Sequence, residues 1–515
     1  MLKFALFVLL TCSVFADGFA AWRQRAWTIL DEGSRHEEME VQMLTLFGAK
    51  LSQDEGAMTF YMRALKSPKP ELQLAAIKSL ASLKNDRADE ALQEGLRSNE
   101  VIIRLETLVL MAQKGMQGVS DHVEGLMAKI PKPLHVIFPP LFAMAGDPTS
   151  LKQLRLLLSD SDARVRAASA MSVEKGGIEE FLPHIRRLAK QVSPIVQEAA
   201  VHCLGVFGDS TSLPILKKLI TSPFQEVKIS ALQAYALLNE EEALPLLTKE
   251  ADVGDLFAIT LLGNLSGGEQ KLKTYLRSND PHIAINAAMA LLARGEREGL
   301  RVIAPLILSN RASLAPHATS LKHVIAWKLA PSGPYDDPIV EERMREARRE
   351  IVRRIFLLPE EDALAFSKEL LLRGENGYIP AVMEQLFITG TPGVVSLLEQ
   401  FQQKIGAPYV RGAAALTLFK LGQKERRSEM ISFLKSHHAI ELIRLKPMLD
   451  DKLNPFATTA FELSPEETSS LYIEMLEALL TEGKEDGIDL LVEAMEKGHP
   501  NNRYALAGLL IRATL

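Results

Sequence analysis

Ser193-Pro194-Ile195-Val196-Gln197-Glu198-Ala199-Ala200-Val201-His202-Cys203-Leu204-Gly205-Val206-Phe207-Gly208-Asp209 is the stretch whose reading decides the fold. Ser193 supplies an N-cap, and Pro194 stands in the first helical turn, where its missing N–H is harmless. Val196, Ala199, Ala200, Cys203, Leu204 and Phe207 then recur at the spacing of one helical face, which must be buried. Gly205 and Gly208-Asp209 are expected to break this helix. Leu213-Pro214-Ile215-Leu216-Lys217-Lys218-Leu219-Ile220 starts a second amphipathic helix, and Ser222-Pro223 opens the next unit.

The pattern repeats. Leu72, Ile103, Leu134, Val165, Val196 and Val227 open apolar helices at a constant step of 31 residues. Pro183, Pro214 and Pro245, each after a leucine, keep the same step. Related grammar appears in Ser161-Asp162-Ala163-Arg164-Val165-Arg166-Ala167-Ala168 and in Asp280-Pro281-His282-Ile283-Ala284-Ile285-Asn286-Ala287-Ala288. Alanine at mid-face lets neighbouring helices approach closely. A pair of such short helices cannot bury its apolar stripe alone, so unit must stack on unit into one continuous core.

Val165-Arg166-Ala167-Ala168, Val196-Gln197-Glu198-Ala199-Ala200 and Val410-Arg411-Gly412-Ala413-Ala414-Ala415-Leu416 resemble the bacterial HEAT repeats called phycobilisome-lyase-like. The resemblance covers residues 67 to about 300, reappears around 406–422 and returns at Asn502-Arg503-Tyr504-Ala505. It implies an all-α fold, an α-α superhelix or HEAT-like solenoid of antiparallel helix pairs. That repeat is a scaffold shared by lyases and adaptors, so it implies the fold far more strongly than any activity.

Composition agrees with packed helices. Hydrophobic residues reach 47% and are dominated by Leu and Ala, aromatics only 6%. A net charge of −6 gives the surface as a whole no attraction for nucleic acid or anionic lipid. Residues 1–16 read as an export signal: Lys3 is the positive end, Phe4 to Val14 is uncharged and mostly apolar, and Val14-Phe15-Ala16 offers a cleavage site. The apolar run is too short to span a bilayer, and no later segment reads as transmembrane. Cleavage after Ala16 moves the net charge to −7 and removes Cys12, leaving Cys203 as the one thiol of a periplasmic or secreted chain, with no internal disulfide. In the alternative reading Leu9-Leu10-Thr11-Cys12 is a lipoprotein signal acylated at Cys12, although Thr11 stands where such signals prefer Gly, Ala or Ser.

Five regions follow from the breaks in the repeat. Residues 1–16 are the signal, and 17–66, rich in Trp22, Trp27, Met39, Met43, Phe47, Phe60 and Tyr61, read as an N-terminal helical cap. The HEAT-like array runs through 67–330. Residues 331–358 combine the break Pro331-Ser332-Gly333-Pro334-Tyr335-Asp336-Asp337-Pro338 with a charged bridging helix. In that helix Val340, Met344, Ala347, Ile351 and Ile355 form an apolar stripe, and Arg343, Arg345, Arg348, Arg349, Arg353 and Arg354 interleave with four glutamates. Binding of an acidic partner is the other reading of those arginines. Residues 359–515 form a C-terminal helical repeat region in which Ser464-Pro465-Glu466-Glu467 marks a late helix start and Leu506 to Leu515 an end cap.

No constellation marks an enzyme. There is no phosphate loop, no G-x-S-x-G, no H-E-x-x-H and no paired C-x-x-C. His437-His438 are about 100° apart on a helix and cannot chelate one metal together. His202-Cys203 resembles a nucleophile beside a base, yet helical neighbours diverge and Cys203 lies on the Ala-rich face, which favours core packing. Glu240-Glu241-Glu242, Asp336-Asp337 and Glu360-Glu361-Asp362 stand at turns and helix starts, where carboxylates favour the positive end of the dipole. No catalytic, cofactor-binding or metal residue is therefore assigned, and no cofactor. The expected function is a non-catalytic scaffold of the cell envelope or secreted compartment, gripping an unidentified protein partner on the concave face. The alternative, carried by the family resemblance, is a lyase-like enzyme or binding protein for a pigment or other hydrophobic small molecule in the groove. Nucleic-acid binding has only the 343–354 arginines in its favour.

Overall fold

The computed structural model of the chain describes residues 19–309, 313–330, 338–374, 377–402, 407–437, 465–482 and 484–514. The fold class is all-α, built of short antiparallel helix pairs, and no described helix is long and apolar enough to cross a membrane. The described residues divide into two compact units, one holding residues 19–111 together with the described ones from Leu386 onward, the other those between Ala112 and Gln385.

In the second unit the helices Ala163–Lys175, Pro194–Val206, Gln225–Leu238, Leu256–Leu262 and Pro281–Ala293 form one layer. Leu182–Leu188, Leu213–Leu219, Glu240–Asp252 and Gly268–Tyr275 each lie against the first helix of the following pair. The register marks Val165, Val196 and Val227 are fully buried. Gly205 does not break its helix. It sits inside Pro194–Val206, where an added Cβ would come within 2.6 Å of Ala234 Cα, so the missing side chain lets two first helices touch. The break falls at Gly208, whose φ of 65° is the left-handed conformation that glycine adopts without strain.

Two landmarks depart from the 31-residue phase. Leu134 is 48% exposed and lies in a 3₁₀ turn, Lys132–Ile137, because Pro131 and Pro133 remove backbone donors and delay the α-helix to Phe138–Ala145. Pro245 stands inside Glu240–Asp252 rather than in the first turn, since Asn239 caps that helix early by accepting from the Glu242 N–H.

Consecutive pairs are also tied by charge. Arg186 donates to Asp209 through Nε (2.6 Å) and Nη2 (2.8 Å), and Thr211 Oγ1 donates to the same carboxylate. The Arg186 guanidinium holds the Asp209 carboxyl below its ordinary range. A carboxylate with a depressed pKa stabilises the fold above the unfolded value and loses that contribution as pH falls through the folded one. Asp209→Ala, which strands a partly buried guanidinium, is expected to cost about 2 kcal/mol in urea unfolding at pH 7, with a difference from wild type that shrinks as pH falls below the ordinary carboxylate range.

The array expected to continue to residue 330 gives way to a β-hairpin, the one sheet among the described residues. Strand β1, Ser313–Ala318, pairs antiparallel with β2, Ile325–Ala330, in the register Ser313↔Ala330 to Ala318↔Ile325. Pro316, which has no N–H to give a ladder, faces Trp327. Lys322, at φ 61°, closes the connecting turn, and its N–H bonds to Thr319 O. After the hairpin, helix Pro338–Ile355 buries Met344, Ala347, Ile351 and Ile355 of the expected stripe, and the side chain of Val340 lies outside the described residues. Asp336-Asp337 and the proline-rich break up to residue 337 lie outside the described residues.

The first unit brings together the two ends of the described chain. Helix Met39–Ser52 packs on Asn502–Ala513 through small residues: a Cβ on Gly508 would stand 1.9 Å from Gly48 O, and one on Gly48 2.0 Å from Tyr504 O. Arg23 Nη1 donates to Thr514 O at 3.1 Å. The aromatic side chains expected in a cap are used locally, with Trp27 stacked on Phe60 and Tyr61 fully buried. The segments read as an N-terminal cap and an end cap meet here through helices Met39–Ser52 and Asn502–Ala513.

Candidate interaction surface

The hairpin lies across the layer of first helices, and that layer holds it by its main chain. Asn286, on Pro281–Ala293 and 0% exposed, donates from Nδ2 to Trp327 O (2.8 Å) and accepts at Oδ1 from Trp327 N (2.7 Å). Its amide thus does for β2 what a neighbouring strand would do. Three helices away, Glu198, 1% exposed on Pro194–Val206, accepts from the Leu321 N–H at 3.1 Å. Burial pushes the Glu198 carboxyl up, and the bonds from Leu321 and Thr319 pull it back. Asn286 addresses backbone atoms alone and so fixes path and register, whereas Glu198 takes the Leu321 N–H and the Thr319 side chain together.

Side chains complete the seat. Trp327, 2% exposed, lies under the Arg354 guanidinium, whose Nη1 also donates to Met289 O. Val324 joins an apolar cluster of Leu232, Ile259, Leu262 and Leu291 from three first helices. Phe257 stacks on His317. At the turn, His323 stacks on His202 with ring centroids 3.6 Å apart and planes 11° from parallel. Glu174 Oε2 stands 3.6 Å from His202 Nε2, too far for a hydrogen bond. Trp327 Nε1, His323 Nε2 and Glu174 Oε2 are buried without a hydrogen-bond partner among the described residues. Each such atom costs about 1–3 kcal/mol.

Parallel rings aim their lone pairs along parallel planes, so His202 and His323 do not converge on a cation. Among the described residues no group of three His, Cys, Asp or Glu side chains is placed to hold a metal. The pair answers to protons instead. Burial pushes His202 down, against the pull of Glu174 and Gln233, and pushes His323 down to about 3, helped by His202 and the Lys175 charge. An unfolded histidine takes up its proton near pH 6.5, so below that pH a free hairpin binds protons that the docked one refuses. The contribution of the two histidines to docking is therefore fully present above about pH 6.5 and is lost as pH falls toward 3, by up to about 1.4 kcal/mol per pH unit for each proton withheld. Urea unfolding between pH 7.5 and 5 measures this, and His323→Gln is expected to flatten the slope; an unchanged slope contradicts the assignment.

The other residues singled out in the sequence are placed as follows. His202 faces His323, whereas Cys203 is buried in the core with its thiol pushed up by burial, the reverse of an activated nucleophile. Glu240-Glu241-Glu242 and Glu360-Glu361-Asp362 occupy first turns of helices. His438 lies outside the described residues. Of the arginines, Arg348 is buried, Arg353 and Arg354 both pair with Glu350, and Arg349 stands 3.9 Å from Glu384. The sequence reading missed Glu198 and Asn286 as contact residues. Asn286 carried a signal, being a polar side chain within an apolar, alanine-rich helix, where a buried group needs a partner from outside; Glu198 carried none, because it lies about 200° round the helix from Val196, on the side that the apolar period leaves to solvent.

Comparison with known proteins agrees at the level of the repeat. A family model described as HEAT repeats matches residues 182–256. The chain is similar to the CpcE–CpcF complex of phycocyanin lyase from Nostoc sp. PCC7120, with 18% identity over 48% of this chain and 92% of that one and a TM-score of 0.27. It is similar to UNC-45 from Drosophila melanogaster, with 14% identity over 95% of this chain and 82% of that one and a TM-score of 0.36. For yeast importin-β (Kap95p) the values are 13%, 95%, 72% and 0.37. No curated protein matches.

Proposed function

We propose that this chain is an exported, non-catalytic scaffold that holds extended segments of a partner protein on its layer of first helices. One observation carries the reading: that layer already holds a non-helical stretch of polypeptide, its own hairpin, by the Asn286 amide on the backbone of strand residue Trp327 and by Glu198 on the N–H of turn residue Leu321. A surface that recognises main chain accepts many sequences, and this suits a scaffold better than a substrate-specific pocket. Export rests on Lys3 and the apolar run Phe4 to Val14, which lie outside the described residues.

Val206 and Leu237 stand 31 residues apart, are exposed, and end adjacent first helices. A photo-crosslinking residue placed at either position in the full chain is expected to trap the same discrete protein in cells, in material that begins at Asp17 and fractionates outside the cytoplasm. Capture of no protein from either site, or of unrelated proteins from the two, contradicts the scaffold reading. Retention of residues 1–16 in the cell-purified chain contradicts export.

A further inference from the structure

We infer that the edge of the second unit formed by residues 187–192, 218–224 and 249–253 docks on an anionic lipid surface, through single apolar side chains set among basic ones. The inference stands apart from the scaffold reading and concerns where the chain is held.

Three consecutive helix pairs end in the same way. The second helices Leu182–Leu188, Leu213–Leu219 and Glu240–Asp252 carry Arg187, Lys218 and Lys249 in their last turns, at a constant step of 31 residues. The connections that follow present Val192, Phe224 and Val253, which are 90%, 45% and 78% exposed. One exposed apolar side chain is ordinary, but the same place in three successive units makes a row. The cations are free as well: Arg187, Lys190, Lys218, Lys249 and Arg277 are exposed and form no ion pair among the described residues. Their helical neighbours are engaged inside the fold, Arg186 with Asp209 and Lys217 with Glu242. So are the nearby acids: Glu250 pairs with Lys228 at 3.0 Å, Asp252 with Lys271 at 2.7 Å, Asp255 caps helix Leu256–Leu262, and Glu226 is half-buried. The edge is therefore locally basic in a chain of net charge −6, and charges more than about 8 Å away are largely screened at physiological ionic strength.

This pattern fits a bilayer better than a protein. A protein anchor needs a pocket or a contiguous core of contact, whereas these apolar side chains stand one repeat apart on separate connections. A fluid headgroup layer admits such side chains singly, and anionic lipids meet the cations without a fixed geometry.

Co-sedimentation of the chain purified from cells with vesicles of equal parts phosphatidylglycerol and phosphatidylcholine tests the inference. At about fivefold per cation near an anionic surface, Arg187→Gln/Lys218→Gln/Lys249→Gln is expected to bind about a hundredfold more weakly than wild type. Val192→Ser/Phe224→Ser/Val253→Ser is expected to bind at least about tenfold more weakly. Should the Phe224 substitution disturb helical circular dichroism, Val192→Ser/Val253→Ser gives the same reading. Lys84→Gln/Arg87→Gln/Arg301→Gln removes as much charge from exposed sites between the two helices of a pair and is expected to bind like wild type. Wild type that stays in the supernatant overturns the inference, and so does an equal loss in that control, which shows attraction to charge anywhere on the chain. Unchanged binding of the serine variant also overturns it, by showing a contact of charge alone such as an acidic protein makes. None of these results alters the capture expected at Val206 and Leu237.

Discussion

Replacing Asn286 by alanine is expected to free the hairpin while leaving the helix pairs folded. The substitution deletes a donor and an acceptor at once and leaves the Trp327 N–H and C=O facing an apolar wall that offers them nothing. Two buried main-chain groups without partners cost together about 4 kcal/mol, which raises the open population about a thousandfold. Trypsin reads this directly. Lys322 lies exposed in the turn and can be cut with the hairpin docked, but Lys328 lies within β2 and must open first. Cleavage after Lys328 is expected to accelerate by about the same thousandfold while cleavage follows the open population, and helical circular dichroism is expected to hold.

The second large effect belongs to the other unit. Gly508→Val places a branched side chain where a single Cβ would already be 1.9 Å from Gly48 O, a backbone atom that cannot rotate away. Helix Asn502–Ala513 must then withdraw from Met39–Ser52, exposing Ala49, Leu506 and Leu509. The expected cost is at least about 3 kcal/mol, the upper range for overpacking, because the obstruction is main chain. Urea unfolding of the variant against wild type measures it. Gly125→Ala makes the control: this glycine is exposed in helix Val119–Met127 and a Cβ there meets nothing within 4 Å. Alanine is expected to stabilise by about 0.5–1 kcal/mol. A destabilisation of Gly508→Val under 1 kcal/mol would contradict the close approach of the two end helices.

How much of this was legible in the sequence depends on the range of the interactions involved. The helix pairs from 163 to 293 were readable because capping residues and a 3.6-residue apolar period act locally, and Val165, Val196 and Val227 are buried as their spacing required. Leu134 and Pro245 misled because a period counts residues, whereas helix starts are set by caps and prolines that moved by a few positions. The hairpin was hidden for three physical reasons. Pro316 argues against a strand unless it occupies a position that needs no N–H, Ala and Leu favour helix, and the turn reaches its left-handed residue with Lys322 instead of glycine. Asn286 looked like a defect in an apolar helix and Glu198 like an ordinary solvent-facing acid, because their partners lie 41 and 123 residues away in sequence. The union of Gly48 with Gly508 is longer in range still, and no local pattern encodes it.

The central claim is that the first-helix layer holds the hairpin through main-chain contacts at its turn and at β2, and amide hydrogen exchange on the wild-type chain tests it most directly. The Leu321 and Trp327 amides are expected to exchange as slowly as the interior of Pro194–Val206 and Pro281–Ala293, with the Ser320 amide far faster. Exchange of Leu321 and Trp327 at the rate of a free peptide would contradict the grip, and with it the scaffold reading built on it.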